Sequence, residues 1–540
     1  MTKTFGNPTF LVAVSDGSIF MGYSPNQLTL ATNGENVLED TPLMGLQEGP
    51  PSPNDEGQAK FQRHVYFCDG ERYLRLNGHT GEVSDWTAFV GDDFASGRPI
   101  KGEMPFGADI VLDIISADSN GFVVEGDQTD FFDTGDEVIV QETEENDGSY
   151  EVTGVSTSNG NTVIAVTPAP SDQGAEGAVF RVTSRARMIA LYRGRIVLSG
   201  VTQDPSNIFF SAVDDPRNWD FAPETTTVTQ AIALAATENG KIGDEVTALI
   251  PFSDDLLMIG GRRSVWLLQG DPMAGGQIVN ISRETGIVGP DAWAFDERNR
   301  LFFVGQDGLY QTEPDGTGLR PVAAGTLDNT FRTKDYADVR CVASYDLNRN
   351  YVYIFWVRDE GENDRGLIYD VRSEAFFPIR VPDSNGPQSV WAFNSPKEND
   401  RTVILGGRDG YLRAFRKNRA NDSDGTEDVP IESWMTIGPI QLNAAMQARA
   451  QDAFVRLADN SGPVDVEIYA APTPEQALLH QDEPRFRRRQ RINDRRAIRQ
   501  RIGAGSFVLK LSQDKLHATW AYGGGQMTLA PAGRNRRVRR

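Results

Sequence analysis

Four histidines, His64, His79, His480 and His517, and two cysteines, Cys68 and Cys341, are the residues best able to hold a metal or attack a substrate in this 540-residue chain. Their spacing supports neither. No HExxH or comparable histidine pair occurs, and no CxxC. Two cysteines cannot build a disulfide framework, and both fall in runs that read as strands. They are expected to be buried free thiols in a protein made in a reducing cytoplasm. No GxSxG elbow or Walker A loop is present. Gly260-Gly261 and Gly406-Gly407 sit in hairpin turns, not ahead of helices. Glu142, Glu144, Glu145 and Asp147 lack the spacing of a calcium loop and read as an exposed acidic loop. The sequence points away from an enzyme: no catalytic residue, metal or cofactor is assigned.

One stretch invites a closer comparison. Ser211 to Trp219 (SAVDDPRNW) has a partial likeness to the aspartate box of sialidase-like propellers. The spacing differs, and no tyrosine nucleophile stands beside an arginine triad. Asp214-Asp215-Pro216 with Trp219 therefore reads as a turn closed by an aromatic lid.

Charge is the stronger signal. The chain carries a net −23. From Arg485 to the C-terminus, 16 Lys and Arg face 2 Asp and Glu, a local +14, against −37 for the remainder. An acidic body repels nucleic acid, and a basic end suits an acidic partner. Nine arginines and one acid lie between Arg485 and Arg501. Arg485, Arg487, Arg488, Arg489, Arg491, Arg495 and Arg496 are the candidate partner or subunit contacts. Arginine suits the role because its planar fork pairs two-pronged with carboxylates. As a helix the segment would have a poor apolar stripe, so it reads as a flexible arm or a partner-bound helix.

The elements that position these residues are β-strands. Leu256 to Leu268 (LLMIGGRRSVWLL), Arg300 to Thr312 (RLFFVGQDGLYQT) and Thr402 to Phe415 (TVILGGRDGYLRAF) share one pattern: a branched or aromatic run, a glycine turn, and a second apolar run. Drifted copies occur at His64 to Leu76, Arg195 to Phe210 and Tyr351 to Tyr369. Val246–Ile250, Ala292–Phe295, Arg340–Ser344 and Ser389–Phe393 read as flanking strands. Six hairpins at blade-like spacing predict an all-β fold, a β-propeller of about six blades.

The chain divides accordingly. Residues 1–63 are hard to assign, and a strand there could close the ring by pairing with the last blade. Residues 64–100 begin the propeller. Residues 101–182 break the rhythm with five short strands and read as an inserted small β-barrel or sandwich. The propeller resumes over 183–430, where Arg416 to Pro430 is a polar linker. Residues 431–540 form a C-terminal β platform domain carrying the Arg-rich arm 485–501. No run of 18 apolar residues exists, so no membrane span is expected.

Asn207 to Phe221 (NIFFSAVDDPRNWDF), Gly270 to Phe295 (GDPMAGGQIVNISRETGIVGPDAWAF) and Trp520 to Arg537 (WAYGGGQMTLAPAGRNRR) resemble tail proteins of tailed bacteriophages, closest to the nozzle, or distal tail tubular, proteins of short-tailed phages. The resemblance covers about Arg187 to Arg540. It implies a virion structural protein, made in the host bacterial cytoplasm and placed in the tail. It implies a propeller with an inserted β-domain and a C-terminal platform, in a six-fold ring of identical subunits. The implied partners are a tail adaptor above, tail fibres or spikes, and double-stranded DNA that passes without specific binding during ejection. The rival readings are a tail-associated carbohydrate-binding or glycan-hydrolysing propeller and a peptide-binding scaffold propeller.

Overall fold

The computed structural model describes the chain apart from residues 1, 6–9, 24–26, 39–43, 54–62, 89–90, 94–97, 101, 144–145, 171–176, 224, 323–326, 337, 359–364, 382–385, 395–400, 416–418, 424–426, 444–445, 480–483, 491–497 and 535–540. It falls into two compact units. The first holds residues 1–379 and 387–415, the second 380–386 and 416–540.

The first unit is a β-propeller. Among the described residues it has seven antiparallel meanders, each with strands in sequence order. They begin at Thr2–Phe5, Gly45–Gly49, Met188–Tyr192, Val246–Ser253, Trp293–Phe295, Arg340–Asp346 and Pro387–Phe393. Six have four strands and the last has three. The leading strands of successive blades pack on one another where Gly45–Gly49 meets Met188–Tyr192 and Met188–Tyr192 meets Val246–Ser253. The same holds from Trp293–Phe295 to Arg340–Asp346, on to Pro387–Phe393, and back to Thr2–Phe5. The first two blades share one apolar core, as do the fourth and fifth. The leading strands therefore face inward and the cycle is closed.

The six predicted hairpins all form the second and third strands of a blade. The seventh blade is the one the sequence left unassigned, so the count of about six is corrected to seven. Phe10–Ser15 and Ser18–Gly22 make its hairpin, and Asp16 and Gly17 both take positive φ, 49° and 69°, in the turn. That is the mirror-image turn that matches strand twist. The expected ring-closing strand is also corrected. Thr2–Phe5 pairs with Phe10–Ser15 inside its own blade. Closure is by packing instead: Leu11 is buried against Phe393 and Ile404 of the last blade.

Between the second and third blades a closed six-stranded barrel is inserted, running from Phe106 to Arg185. The sequence missed its first strand, Phe106–Asp118, whose outward positions carry the exposed Val111 and Ile115 and so blur the alternation. One tyrosine holds both connections at the neck. The Tyr73 hydroxyl donates to the Pro105 carbonyl at 2.6 Å and accepts from the Ala186 amide at 2.9 Å.

The second unit packs two sheets on a common core of Val455, Val466, Ile468, Phe507 and Leu509. One sheet is ordered Ser433–Ile440, Ser506–Gln513, Val464–Ala471, Phe486–Gln490; the other Ile498–Ala504, Met446–Leu457, Tyr522–Arg534. Within the polar linker, Asn421–Ser423 pairs with Asp428–Pro430 as a two-stranded ribbon.

Ring closure by side-chain packing makes a quantitative prediction. Phe393→Ala leaves a cavity at the seam and is expected to cost about 3 kcal/mol or more of unfolding free energy. Denaturant melting measures it; a cost under about 1 kcal/mol would show that the seam does not hold the ring.

Candidate functional site

The arginine segment is not a flexible arm or a helix where it is described. Phe486–Gln490 is the edge strand of a four-stranded sheet, pairing antiparallel with Val464–Ala471. Exposure alternates along it and at the residue before it: Arg485, Arg487 and Arg489 are exposed, Phe486 and Arg488 half-buried. Period-two alternation is what a strand requires, and Phe486 packs against the unit's core. A helical reading placed Phe486 amid charge; the strand turns it inward and the arginines outward. Ile498–Ala504 is likewise a strand, paired with Met446–Leu457. Arg491, Arg495 and Arg496 lie outside the described residues.

The register aligns two rows across the sheet. Thr436, Lys510, Glu467 and Arg487 stand side by side, and so do Trp434, Ser512, Asp465 and Arg489. Signs alternate in the first row. Arg487 Nε lies 3.0 Å from Glu467 Oε1, and the Tyr469 hydroxyl donates to Glu467 Oε2 at 2.6 Å. Glu467 is buried at 8% exposure while Arg487 remains 64% exposed, so the pair orients the guanidinium yet leaves most of it in solvent. Such a pair contributes little to stability. Trp434, 55% exposed, lies on the opposite edge strand. The helix Pro474–Leu479 covers the far end of this face through Ala477, against Tyr469 and Val508. Leu479 at its end is 76% exposed. The result is an open sheet face with a basic edge, an exposed aromatic and an apolar rim.

The other residues weighed in the sequence take structural places. Cys68 and Cys341 are both buried, and burial pushes the Cys341 thiol well above its ordinary pKa. His64 is buried in the second blade, His79 is exposed, His517 lies 3.1 Å from Asn421, and His480 is outside the described residues. Among the described residues no group of three His, Cys, Asp or Glu could hold a metal ion. In the acidic loop, Asp147 accepts from the Thr143 amide and hydroxyl, both at 2.7 Å; Glu144 and Glu145 are outside the described residues. At the Asp215 turn the Pro216 carbonyl accepts from both Trp219 at 2.9 Å and Trp86 at 2.8 Å, and both indoles are buried.

The propeller axis holds a narrow cavity of about 240 Å³, lined by Leu46, Met188, Ile189, Leu249, Trp293 and Trp391. That is below the size of a small-ligand pocket.

No feature of the sequence marked Glu103. It lies at the barrel neck, where burial pushes its carboxyl up to about 7; Arg185 pulls it down, while Glu137 and Asp147 push it up. Arg185 closes on Glu137 and lies 5.3 Å over the Tyr73 ring.

No family model matches the chain, and no curated protein matches it in sequence. Among solved structures it is similar to the extracellular domain of a one-component system from Bacteroides thetaiotaomicron (8% identity, 96% of this chain and 85% of that one, TM-score 0.27). It is also similar to YCF48 bound to D1 peptide (12% identity, 58% and 94%, TM-score 0.26). A third is a protein of unknown function from Bacteroides thetaiotaomicron (9% identity, 58% and 98%, TM-score 0.20). The propeller assignment rests on the sheet order and packing of this chain itself.

The neck yields a pH prediction. A carboxyl whose folded pKa is raised favours the folded state only while protonated. Its contribution is full below about 4.5 and is lost as pH rises through about 7. Glu103→Gln should remove that loss. Relative to the variant, the native chain should weaken by about 2 kcal/mol between pH 5 and pH 8 in denaturant melts. Parallel pH profiles would show that Glu103 does not titrate in this range.

Proposed function

We propose that this chain is a structural subunit of a short phage tail, assembling with copies of itself, six by the resemblance, into a ring around the channel through which the genome leaves. The observation that carries the reading is the separation of charge. The body of the chain is strongly acidic, while Arg485, Arg487 and Arg489 project from an exposed sheet edge. A channel wall for duplex DNA should not bind phosphate, since each Lys or Arg contact adds salt-dependent adhesion. Acidic walls repel the backbone and let it slide. In such a ring the channel would run between copies. The arginine edge would meet an acidic face of a neighbouring subunit or of the adaptor above, through charge-assisted, two-pronged contacts. The resemblance of Asn207–Phe221, Gly270–Phe295 and Trp520–Arg537 to nozzle proteins supports the same conclusion.

Electron microscopy of the purified chain and of tail particles tests this. Rings with an acidic inner wall are expected. Replacing Arg485, Arg487 and Arg489 together by serine should dissolve or weaken the rings while the melting transition stays within about 1 kcal/mol of the parent. Normal assembly without the three arginines, or a channel wall dominated by lysine and arginine, would overturn the proposal.

A further inference from the structure

The four-stranded sheet of the second unit has two outer edges, Ser433–Ile440 and Phe486–Gln490, and among the described residues no strand pairs with the outer side of either. The two edges are unlike. Phe486–Gln490 carries arginines at 487, 488 and 489, while Ser433–Ile440 (SWMTIGPI) carries no charge and exposes Trp434 and Met435. An edge strand turns the N–H and C=O groups of alternate residues away from its sheet, and edge charges keep other strands from taking them. The tryptophan edge lacks that protection.

Three features suit the two edges to each other. The first is direction. Every neighbouring pair in the sheet is antiparallel, so with four strands the two edges run in opposite directions. An identical sheet set alongside in the same orientation therefore meets the first antiparallel. The second is length. Phe486–Gln490 has five residues, and residues 433–437 form an equal run, ended by the register shift at Gly438 and Pro439. The third is side-chain chemistry. Continuing the rows of the sheet sets Trp434 of the next copy beside Arg489, and Thr436 beside Arg487, all on one face. A guanidinium favours the face of an indole. Glu432, 68% exposed and 3.9 Å from Arg380, then falls on the diagonal from Arg489. Pairing two arginine edges would instead set like charges opposite one another.

We propose that copies of this chain join by strand addition, the Phe486–Gln490 edge of one pairing antiparallel with residues 433–437 of the next to make one continuous sheet. The inference rests on the reading of this chain as one that assembles with its own copies, and it names the surface that the arginine edge meets. Two unlike surfaces joined head to tail give a ring when the rotation between copies closes.

Sedimentation of the full chain and disulfide trapping test it. Trp434→Lys, on an exposed side chain, sets a lysine opposite Arg489 and should weaken self-association about tenfold without moving the melting transition. Adding Arg489→Glu to Trp434→Lys should restore association. Met435→Cys combined with Arg488→Cys places two thiols directly opposite across the joint, at a Cα separation that a disulfide spans. Cys68 and Cys341 are buried and do not compete. Oxidation should yield linked multimers of the double variant and of neither single variant. Unchanged association in Trp434→Lys, no linked multimers of the double variant, or linked dimers of Met435→Cys alone would overturn this proposal and leave the ring reading standing. A parent chain that forms no multimer would overturn both.

Discussion

A four-stranded meander cannot stand alone in water, because both its faces are apolar in this sequence. Leu257, Met258 and Ile259 are consecutive, and all three are buried. Period-two geometry sends neighbours to opposite faces, so a sheet with such a run needs cover on both sides. A cycle of sheets meets that demand for every member, provided the first and last also meet. Leu11, Phe393 and Ile404 supply that contact here. Without it two blades would each expose a face, a penalty of several buried side chains at about 1.5–3 kcal/mol each.

A ring closed in this way has little freedom inside, which pushes variation to its periphery. The third blade shows how a long loop is tamed. Arg195 is wholly buried and donates to the carbonyls of Ser211 (2.9 Å), Val228 (2.6 Å) and Gln230, with Asp271 beside it at 3.2 Å. A single guanidinium thus satisfies backbone acceptors of a segment that lacks regular pairing, where unpaired carbonyls would be costly. The barrel is attached by the same economy of contacts. Its two connections converge on Tyr73, so an autonomous sheet system enters the ring through one polar node.

How much of this was legible depended on whether a signal was local. The hairpins around Gly260, Gly305 and Gly406 were readable because alternating apolar runs and turn residues lie within a dozen positions. The Asp16-Gly17 hairpin carries the same signal, yet it was obscured by short, irregular runs around it. Ring closure by Leu11 and Phe393 joins residues nearly the whole unit apart, and no local pattern encodes that. The arginine segment failed for a different reason. Helical periodicity is poor there, but Arg485, Phe486, Arg487, Arg488 and Arg489 alternate in exposure with a period of two once Arg488 is allowed a half-buried place. Long side chains can lay their methylenes on apolar surface with the charge in solvent, and composition alone hides that. Glu103 was invisible because its environment comes from three separate elements.

The strand setting changes what the arginines can do. On a flexible arm, each contact would first have to offset the entropy of ordering several long side chains. On a strand, backbone pairing fixes the spacing, so Arg487 and Arg489 recur on one face at about two residues' rise, roughly 7 Å, with Arg485 just ahead of the strand. Glu467 orients the middle one. A preordered row of guanidiniums favours a partner whose carboxylates recur at similar intervals, such as another strand edge or a regular acidic ridge. The same charges also guard the edge itself, since an unprotected edge strand would pair with any exposed strand it met. Selectivity for an acidic partner and protection against indiscriminate pairing are thus two consequences of one placement, which favours retaining the charge there whichever partner the edge meets.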